Sequence, residues 1–193
     1  DIKKFEVVAL NYKEPSYAKI ESEEDVKDNT IIQVDVDSRK VFLNGREIGK
    51  LVSLRTGKDI KIDTKYDIKY TGGYSIDGKK VYLDEHFPKI LHIDGKDVDT
   101  RESIGRRHEL VEKWLIDDAY EYPYAHMIAT RIEREYVESL GVSWDHYCEE
   151  VDRNLRETYK LKVEKSPESL DLTPYVYSRD REALKEIRES EKI

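Results

Sequence analysis

The spacing of apolar residues changes near residue 100 of this 193-residue chain. Before that point, apolar and polar residues alternate in short runs such as residues 31–36 and 60–70, which is typical of half-buried β-strands. After it, apolar residues recur every three or four positions, which is typical of amphipathic helices. The pattern predicts an α+β fold with an N-terminal antiparallel β module, further β-hairpins and a helical domain.

Three pairs of turn residues predict β-hairpins in the first half of the chain. Asn44-Gly45, Asp77-Gly78 and Asp94-Gly95 each lie between two apolar runs. Asn-Gly and Asp-Gly tolerate the positive φ angles that a two-residue type I′ turn requires. Further strands are predicted over residues 4–10 and 51–54.

Thr71-Gly72-Gly73 is the segment that best fits an interdomain linker. Adjacent glycines interrupt both strand and helix patterns and leave the backbone free to turn. This placement predicts two domains, a β-rich module of residues 1–70 and a hairpin plus helical domain of residues 74–193.

Three antiparallel helices are predicted after residue 100, because the connections between them are short. They cover residues 104–119, 123–140 and 144–159. Ser103 and Ser143 are predicted N-caps, and Gly141 is predicted to end the second helix. The Pro-containing residues 166–177 are predicted to form an extended C-terminal arm, followed by a charged helix that begins after Ser178.

The net charge and the number of cysteines indicate which kinds of partner and which cellular compartment would suit this protein. The formal net charge is -8, which disfavours nucleic acid, and no apolar run is long enough to predict a membrane span. Cys148 is the only cysteine, which favours a reducing, cytoplasmic setting. The chain begins with Asp1 and not Met, so the removal of a leader peptide is left open as an interpretation. Gln33 is the only glutamine among abundant charged residues, a composition typical of heat-adapted proteins.

The motif His108-Glu109-x-x-Glu112 is the leading candidate for chemistry. His108 and Glu112 are four residues apart, so they share one helical face, and His126 and Glu133 share a face of the next helix. If the helices pack against each other, His108, Glu112 and His126 could hold a divalent metal, with Glu133 in support and Glu109 as general base.

Two observations leave this interpretation open. Position 112 is Glu and not His, so the His-Glu-x-x-His motif of zinc proteases is absent. His108 and Glu112 could also be a simple helical charge pair, and His126 a core histidine.

A second candidate is Asp84-Glu85-His86-Phe87-Pro88, at the end of a predicted strand. Asp84 and His86 alternate onto one face, where His86 could act as base and Asp84 as a supporting residue. The alternative is a turn in which Asp84 binds backbone amides and His86 packs on Phe87. Tyr120, Tyr122 and Tyr124 flank the turn between the first two helices and could line a cleft.

The motifs follow one another in a recognisable order. They are Asp84-x-His86-x-Pro88, His108-Glu109-x-x-Glu112, Tyr124-Ala125-His126-x-x-Ala129-Thr130-x-x-Glu133, Gly141-x-x-Trp144-x-x-Tyr147, Asp171-Leu172 and Pro174-Tyr175. Over about residues 75–178 this order resembles a group of small uncharacterised proteins encoded by phages and prophages. The resemblance implies that the histidines and acidic residues form one site, and it brings no established reaction.

The sequence therefore favours a metal-dependent hydrolase of peptide or amide bonds. A divalent metal such as zinc would be held by His108, Glu112 and His126, with Glu109 or His86 as base. The alternative is a binding or virion-associated interaction protein with a protein or peptide partner, in which the same residues form a buried polar network. In that case the module of residues 1–70 is the expected attachment piece.

Overall fold

The computed structural model describes residues 60–117 and 120–193 and, before them, residues 32–34, 38, 40–43 and 46–50. The predicted strands over residues 4–10 and 51–54 lie outside these residues, as does Ala119 at the predicted end of the first helix. For the described segments between residues 32 and 50, the structure establishes how the backbones of the strands pair.

Helices and strands both form in the described residues, so the α+β class is confirmed. The strands are β1 (Ile32–Val34), β2 (Lys40–Leu43), β3 (Arg46–Lys50), β4 (Lys61–Asp63), β5 (Gly72–Tyr74), β6 (Lys80–Leu83), β7 (Ile90–Ile93), β8 (Lys96–Asp99), β9 (Lys165–Ser166) and β10 (Glu191–Lys192). The helices are a π-helix (Arg101–Glu109), α1 (Leu110–Asp117), α2 (Tyr122–Ser139), α3 (Trp144–Tyr159), α4 (Thr173–Tyr177) and α5 (Arg181–Glu189).

The predicted hairpins are present where the structure describes their strands. Leu43 of β2 pairs with Arg46 of β3 across Asn44-Gly45, and β1 continues this antiparallel sheet. Ile93 of β7 pairs with Lys96 of β8, and Asp94 and Gly95 between them have φ angles of 54° and 70°. Positive φ at both positions is what a type I′ turn requires.

The middle of the described chain is a mixed sheet in the order β4-β6-β5, where β4 is parallel and β5 antiparallel to β6. The linker prediction is wrong, because Gly72 and Gly73 are buried residues of β5. Since β4 lies in the same sheet, residues 60–70 belong with the segment that follows them. The predicted strand over residues 60–70 is also too long, because β4 ends at Asp63. Whether residues 1–59 form a domain of their own stays a prediction.

The first predicted helix differs most from expectation. Residues 101–109, which start three positions before the predicted helix, form a π-helix that begins after Thr100 and continues directly into α1. Ser103 is therefore not an N-cap but a fully buried residue inside the π-helix. π-Helical segments are rare and occur often at functional sites.

Helices α2 and α3 match the sequence prediction closely. Pro123 lies in the first turn of α2, where its missing N–H costs nothing, and Gly141 follows the helix with a φ of 79°. Ser143 caps α3 by accepting a hydrogen bond from the backbone N–H of His146. No helix of the described residues is both long enough and apolar enough to cross a membrane.

The C-terminal segment is more structured than the predicted extended arm. Residues 173–177 form α4, and α5 is capped by Asp180 and not by Ser178. Ile68, Tyr82, Leu170, Tyr175 and Ile187 share one apolar core, which packs this segment against the mixed sheet. The packing explains the difference, because an isolated five-residue helix would not be stable on its own.

Candidate metal centre

Three side chains from three consecutive helical segments meet at one point. His108 comes from the π-helix, Glu112 from α1 and His126 from α2, and we call them the helical cluster. Glu112 Oε2 lies 2.8 Å from His126 Nδ1 and 3.4 Å from His108 Nε2, and the two ring nitrogens are 3.1 Å apart. Ligands bound tetrahedrally to zinc at about 2.0–2.2 Å are about 3.3–3.5 Å apart, so the triangle needs only a small expansion to hold the ion.

The helical cluster is closed on one side and open on the other. His108 and Glu112 are buried, whereas the side chain of His126 is 49% exposed. All three line a cleft of about 420 Å³ whose walls include Tyr122 and Trp144. A metal bound by three protein ligands beside a cleft keeps a coordination position for water or substrate, as catalytic zinc sites do.

A second set of residues fixes the orientation of the three ligands. His108 Nδ1 lies 2.8 Å from Glu133 Oε2, so the ring nitrogen opposite the proposed ligand atom is held by a carboxylate. The Tyr147 hydroxyl donates to Glu133 Oε1 at 2.6 Å, and the Tyr74 hydroxyl donates to Glu112 Oε1 at 2.8 Å. Metal-binding histidines are commonly held by a carboxylate in this way, and such partners tune metal affinity.

Without a metal, the cluster holds a proton on His108. Burial opposes the charged imidazolium, but hydrogen bonds with Glu112 and Glu133 outweigh it and keep the pKa of His108 well above its ordinary value. Burial would raise the pKa of Glu112, yet hydrogen bonds with His108 and His126 lower it to about 2. A metal would therefore have to displace the His108 proton, since only the free nitrogen lone pair binds metal.

Glu109 lies in the same cleft as the helical cluster. Burial, and then the negative charge of Glu112, raise the pKa of Glu109 to about 8. Its side chain lies against Gly72 of β5, where an added Cβ would come within 2.9 Å of Glu109 Cγ and 3.0 Å of its Oε1. Gly72 is thus the residue that makes room for Glu109.

The structure brings together five of the residues selected from the sequence, His108, Glu109, Glu112, His126 and Glu133. His108 and Glu112 share a face, as their spacing of four residues predicted. They do so although one lies in the π-helix and the other in α1.

His86 and Asp84 are not brought to the helical cluster. His86 lines a different pocket, so the expectation that it serves as base for this cluster is not met. Asp84 accepts hydrogen bonds from the backbone N–H groups of Ile68 and His86, as the alternative interpretation of this motif had it.

Tyr74, Tyr147 and Gly72 were missed by the sequence reasoning. Tyr74 and Tyr147 lie on distant elements, β5 and α3, and no local spacing connects them to their carboxylate partners. The signal that points toward them is general: buried carboxylates need donors, and tyrosine is abundant in this chain. Tyr122, which was expected to line a cleft, does so and stacks on His126 with 5.6 Å between ring centroids.

Comparisons with protein-family models, with curated proteins and with solved structures find no match for this chain. The resemblance to phage and prophage proteins therefore stays a prediction, and the site has to be interpreted from its own residues.

Proposed function

We propose that this protein is a zinc-dependent hydrolase that cleaves a peptide or amide bond. The observation that best supports the proposal is the triangle of His108 Nε2, Glu112 Oε2 and His126 Nδ1 at the wall of a cleft, with edges of 2.8–3.4 Å. Two imidazoles and one carboxylate are a donor set of catalytic zinc. A zinc ion there would polarise a substrate carbonyl and lower the pKa of water.

The lining of the cleft supports an amide substrate over a phosphate ester. Among the described residues that line it, none is Lys or Arg, while Glu109, Glu133 and Asp152 are acidic. Phosphoryl groups need positive charge to balance their own. The walls also carry aromatic rings, including Tyr70, Tyr122 and Trp144, which suit the apolar parts of a peptide.

Glu109 is the residue that we assign to proton transfer. In hydrolysis, the water oxygen forms a bond to the carbonyl carbon and its proton passes to the Glu109 carboxylate. Glu109 then gives the proton to the amine nitrogen as the C–N bond breaks, which leaves a carboxylic acid and an amine. A pKa raised to about 8 suits a group that must take and return a proton near neutral pH, and a nearby cation would lower it toward the ionised form.

A binding or virion-associated protein is the second candidate, and one observation favours it. The hydrogen bonds of His108 with Glu133 and of His126 with Glu112 are complete without a metal. Such a network could fix the packing of α1 against α2 and nothing more. In this case the partner is a protein or peptide bound through residues 1–59, and a phage origin and a cytoplasmic setting belong to either proposal.

The two candidates differ in metal content and in turnover. The untagged protein is purified without added metal, then its zinc is measured by elemental analysis and its activity on a mixture of internally quenched peptides. The hydrolase is expected to bind zinc at the helical cluster and cleave peptides, with zinc at this cluster lost in His108→Ala. Glu109→Gln is expected to keep zinc and lose at least about 100-fold in turnover.

The controls separate loss of chemistry from loss of folding. His92→Ala removes an exposed histidine of the β7–β8 hairpin and should change neither zinc content nor turnover. A protein that binds no zinc at the helical cluster, or whose peptide cleavage is unchanged by Glu109→Gln, contradicts the hydrolase. The interaction candidate is tested by deleting residues 1–59, because a deletion up to residue 70 would also remove β4 from the mixed sheet.

A further inference from the structure

We propose a second divalent-cation site, formed by Asp67, Asp84 and His86, which we call the loop cluster. Each of the three side chains offers one ligand atom, and these atoms all lie within 4.8 Å of one another. Asp67 and His86 line a polar pocket of about 340 Å³ that does not include the helical cluster. The inference concerns different residues from the proposed hydrolase site and stands without it.

Asp67 carries the observation that points to a missing ligand. The residue is only 6% exposed, and its buried Oδ1 has no hydrogen-bond partner. His86 Nδ1 is 3.3 Å away, but the two atoms are not aligned as a hydrogen bond. A buried carboxylate oxygen without a donor is costly, and a cation shared with His86 would remove that cost. A separation of 3.3 Å is also that of two neighbouring ligands on a small cation.

The backbone holds both carboxylates in place for this role. Asp67 Oδ2 accepts from the N–H groups of Glu164 and Lys165 at 2.9 and 3.0 Å, which leaves Oδ1 free. Asp84 accepts one backbone N–H on each oxygen, from Ile68 and from His86. Backbone amides therefore orient both carboxylates before a metal binds. Metal ligands in proteins are commonly oriented by hydrogen bonds of this kind.

The other charged residues that line the pocket are three glutamates and two lysines, a balance that is compatible with a cation: Glu85, Glu164, Glu191, Lys162 and Lys165. Glu85 adds a third carboxylate, with Oε1 3.9 Å from His86 Nε2. Lys165 is ion-paired with Glu85 Oε2 at 3.0 Å, and the Lys89 ammonium binds the backbone carbonyls of residues 84, 85 and 87. One imidazole with two carboxylates suits a small divalent transition ion such as Zn²⁺.

A cation at the loop cluster would connect parts of the chain that are distant in sequence. Asp67 lies in the loop after β4, Asp84 and His86 follow β6, and Asp67 also holds the backbone after α3. The N–H of Asp84 donates to the carbonyl of Thr71, which lines the cleft of the helical cluster. The ion would therefore have a structural role, because it would hold one wall of that cleft in place.

The test is zinc stoichiometry in the full chain. Metal-free, untagged protein is titrated with ZnCl₂ in a calorimeter, and bound zinc is measured after dialysis. If both sites exist, the wild type binds two zinc ions, His86→Ala and His108→Ala one each, and the double variant none. Asp67→Asn is a second variant, which keeps one oxygen for the backbone amides and should also lose one ion. His92→Ala, an exposed histidine outside both clusters, should keep both.

The outcomes separate this inference from the proposed hydrolase. One zinc ion that survives His108→Ala and is lost in His86→Ala supports the loop cluster and contradicts the hydrolase. One ion that is lost in His108→Ala and kept in both His86→Ala and Asp67→Asn overturns the loop cluster. Zinc should also raise the melting temperature of His108→Ala, and no rise there overturns the inference as well.

Discussion

The helical cluster and the loop cluster combine similar ligands but hold them differently. In the helical cluster, side chains hold the ligands: Glu133 binds His108, and Tyr74 binds Glu112. In the loop cluster, backbone amides hold the carboxylates, and the His86 side chain is 46% exposed. The first arrangement depends on buried charged side chains that pair with one another, whereas the second depends on backbone amides, two of them distant in sequence, and on a half-exposed histidine. Breaking the first should therefore cost more.

The largest expected effect is on the stability of the metal-free protein. His108→Ala leaves Glu112 and Glu133 buried without their shared cation, so we expect a loss of about 3–5 kcal/mol in the free energy of unfolding. His86→Ala removes a half-exposed ion pair and should cost about 1 kcal/mol or less. Urea denaturation in the presence of a chelator measures both. Equal losses in the two variants would show that the clusters do not differ in this way.

Gly72→Ala tests how closely strand β5 packs against Glu109 beside the helical cluster. The new Cβ would lie 2.9 Å from Glu109 Cγ and 3.0 Å from the backbone carbonyl oxygen of Tyr82, so we expect a loss of about 1–3 kcal/mol. Gly73→Ala is the matched control, because its Cβ meets the end of the Leu170 side chain, which can move. Thermal unfolding of the two variants should rank Gly72→Ala as less stable, and the reverse order would contradict the contact with Glu109.

Tyr147→Phe tests the residues behind the helical cluster. Without the Tyr147 hydroxyl, Glu133 loses a 2.6 Å hydrogen bond and orients His108 less well. Zinc affinity at this cluster should therefore fall about 10–100-fold. Tyr159→Phe is the control, because that hydroxyl binds Asp180 away from both clusters. Competition with a fluorescent zinc chelator gives the affinities, measured in a His86→Ala background to isolate one site. Unchanged affinity in Tyr147→Phe would exclude this role for Glu133.

The smallest effect, counted per pH unit, is the pH dependence of stability in the metal-free protein. The pKa of Glu109 is about 8 in the folded protein against an ordinary 4.5, so between these values the folded protein holds a proton that the unfolded chain has lost. Stability then falls as pH rises, by at most about 1.4 kcal/mol per pH unit. His108 contributes to this fall only above its ordinary 6.5, whereas Glu112, with a pKa lowered to about 2, acts in the opposite direction and only below 4.5, where stability rises with pH.

Glu109→Gln should flatten that slope between pH 4.5 and 6.5. The measurement is the free energy of unfolding in urea at several pH values, for the wild type and the variant with chelator present. Parallel curves for the two proteins would contradict a protonated Glu109 and show that its carboxyl is ionised in the folded protein.

The sequence predicted those parts of the molecule that depend on local rules. Asp94-Gly95 predicted a turn with two positive φ angles, and Ser143 predicted the start of α3, because turn and cap chemistry is set by neighbouring residues. The meeting of His108, Glu112 and His126 was predicted from helical spacing and one short connection. The chemistry of neighbouring residues was sufficient for the turn and the cap, and helical spacing with one short connection was sufficient for the cluster.

The parts that could not be predicted depend on tertiary contacts. The segment that forms the π-helix has one large apolar side chain, Ile104, so no apolar spacing marked its start, and Ser103 was interpreted as a cap when it is buried. Alternation over residues 60–70 predicted a strand, but Asp67 instead binds the backbone after α3. Gly72 and Gly73 were interpreted as a linker, but glycine in a strand also allows a close approach, and Gly72 makes room for the buried carboxylate of Glu109.

Anomalous diffraction at the zinc absorption edge, from crystals grown with zinc, tests the central claim most directly. We predict a peak within bonding distance, about 2.0–2.2 Å, of His108 Nε2, Glu112 Oε2 and His126 Nδ1, with its fourth coordination position toward the cleft. His108→Ala crystals should lack that peak. Zinc-bound crystals with no peak between these three atoms would contradict the metal centre and leave the cluster as a buried polar network.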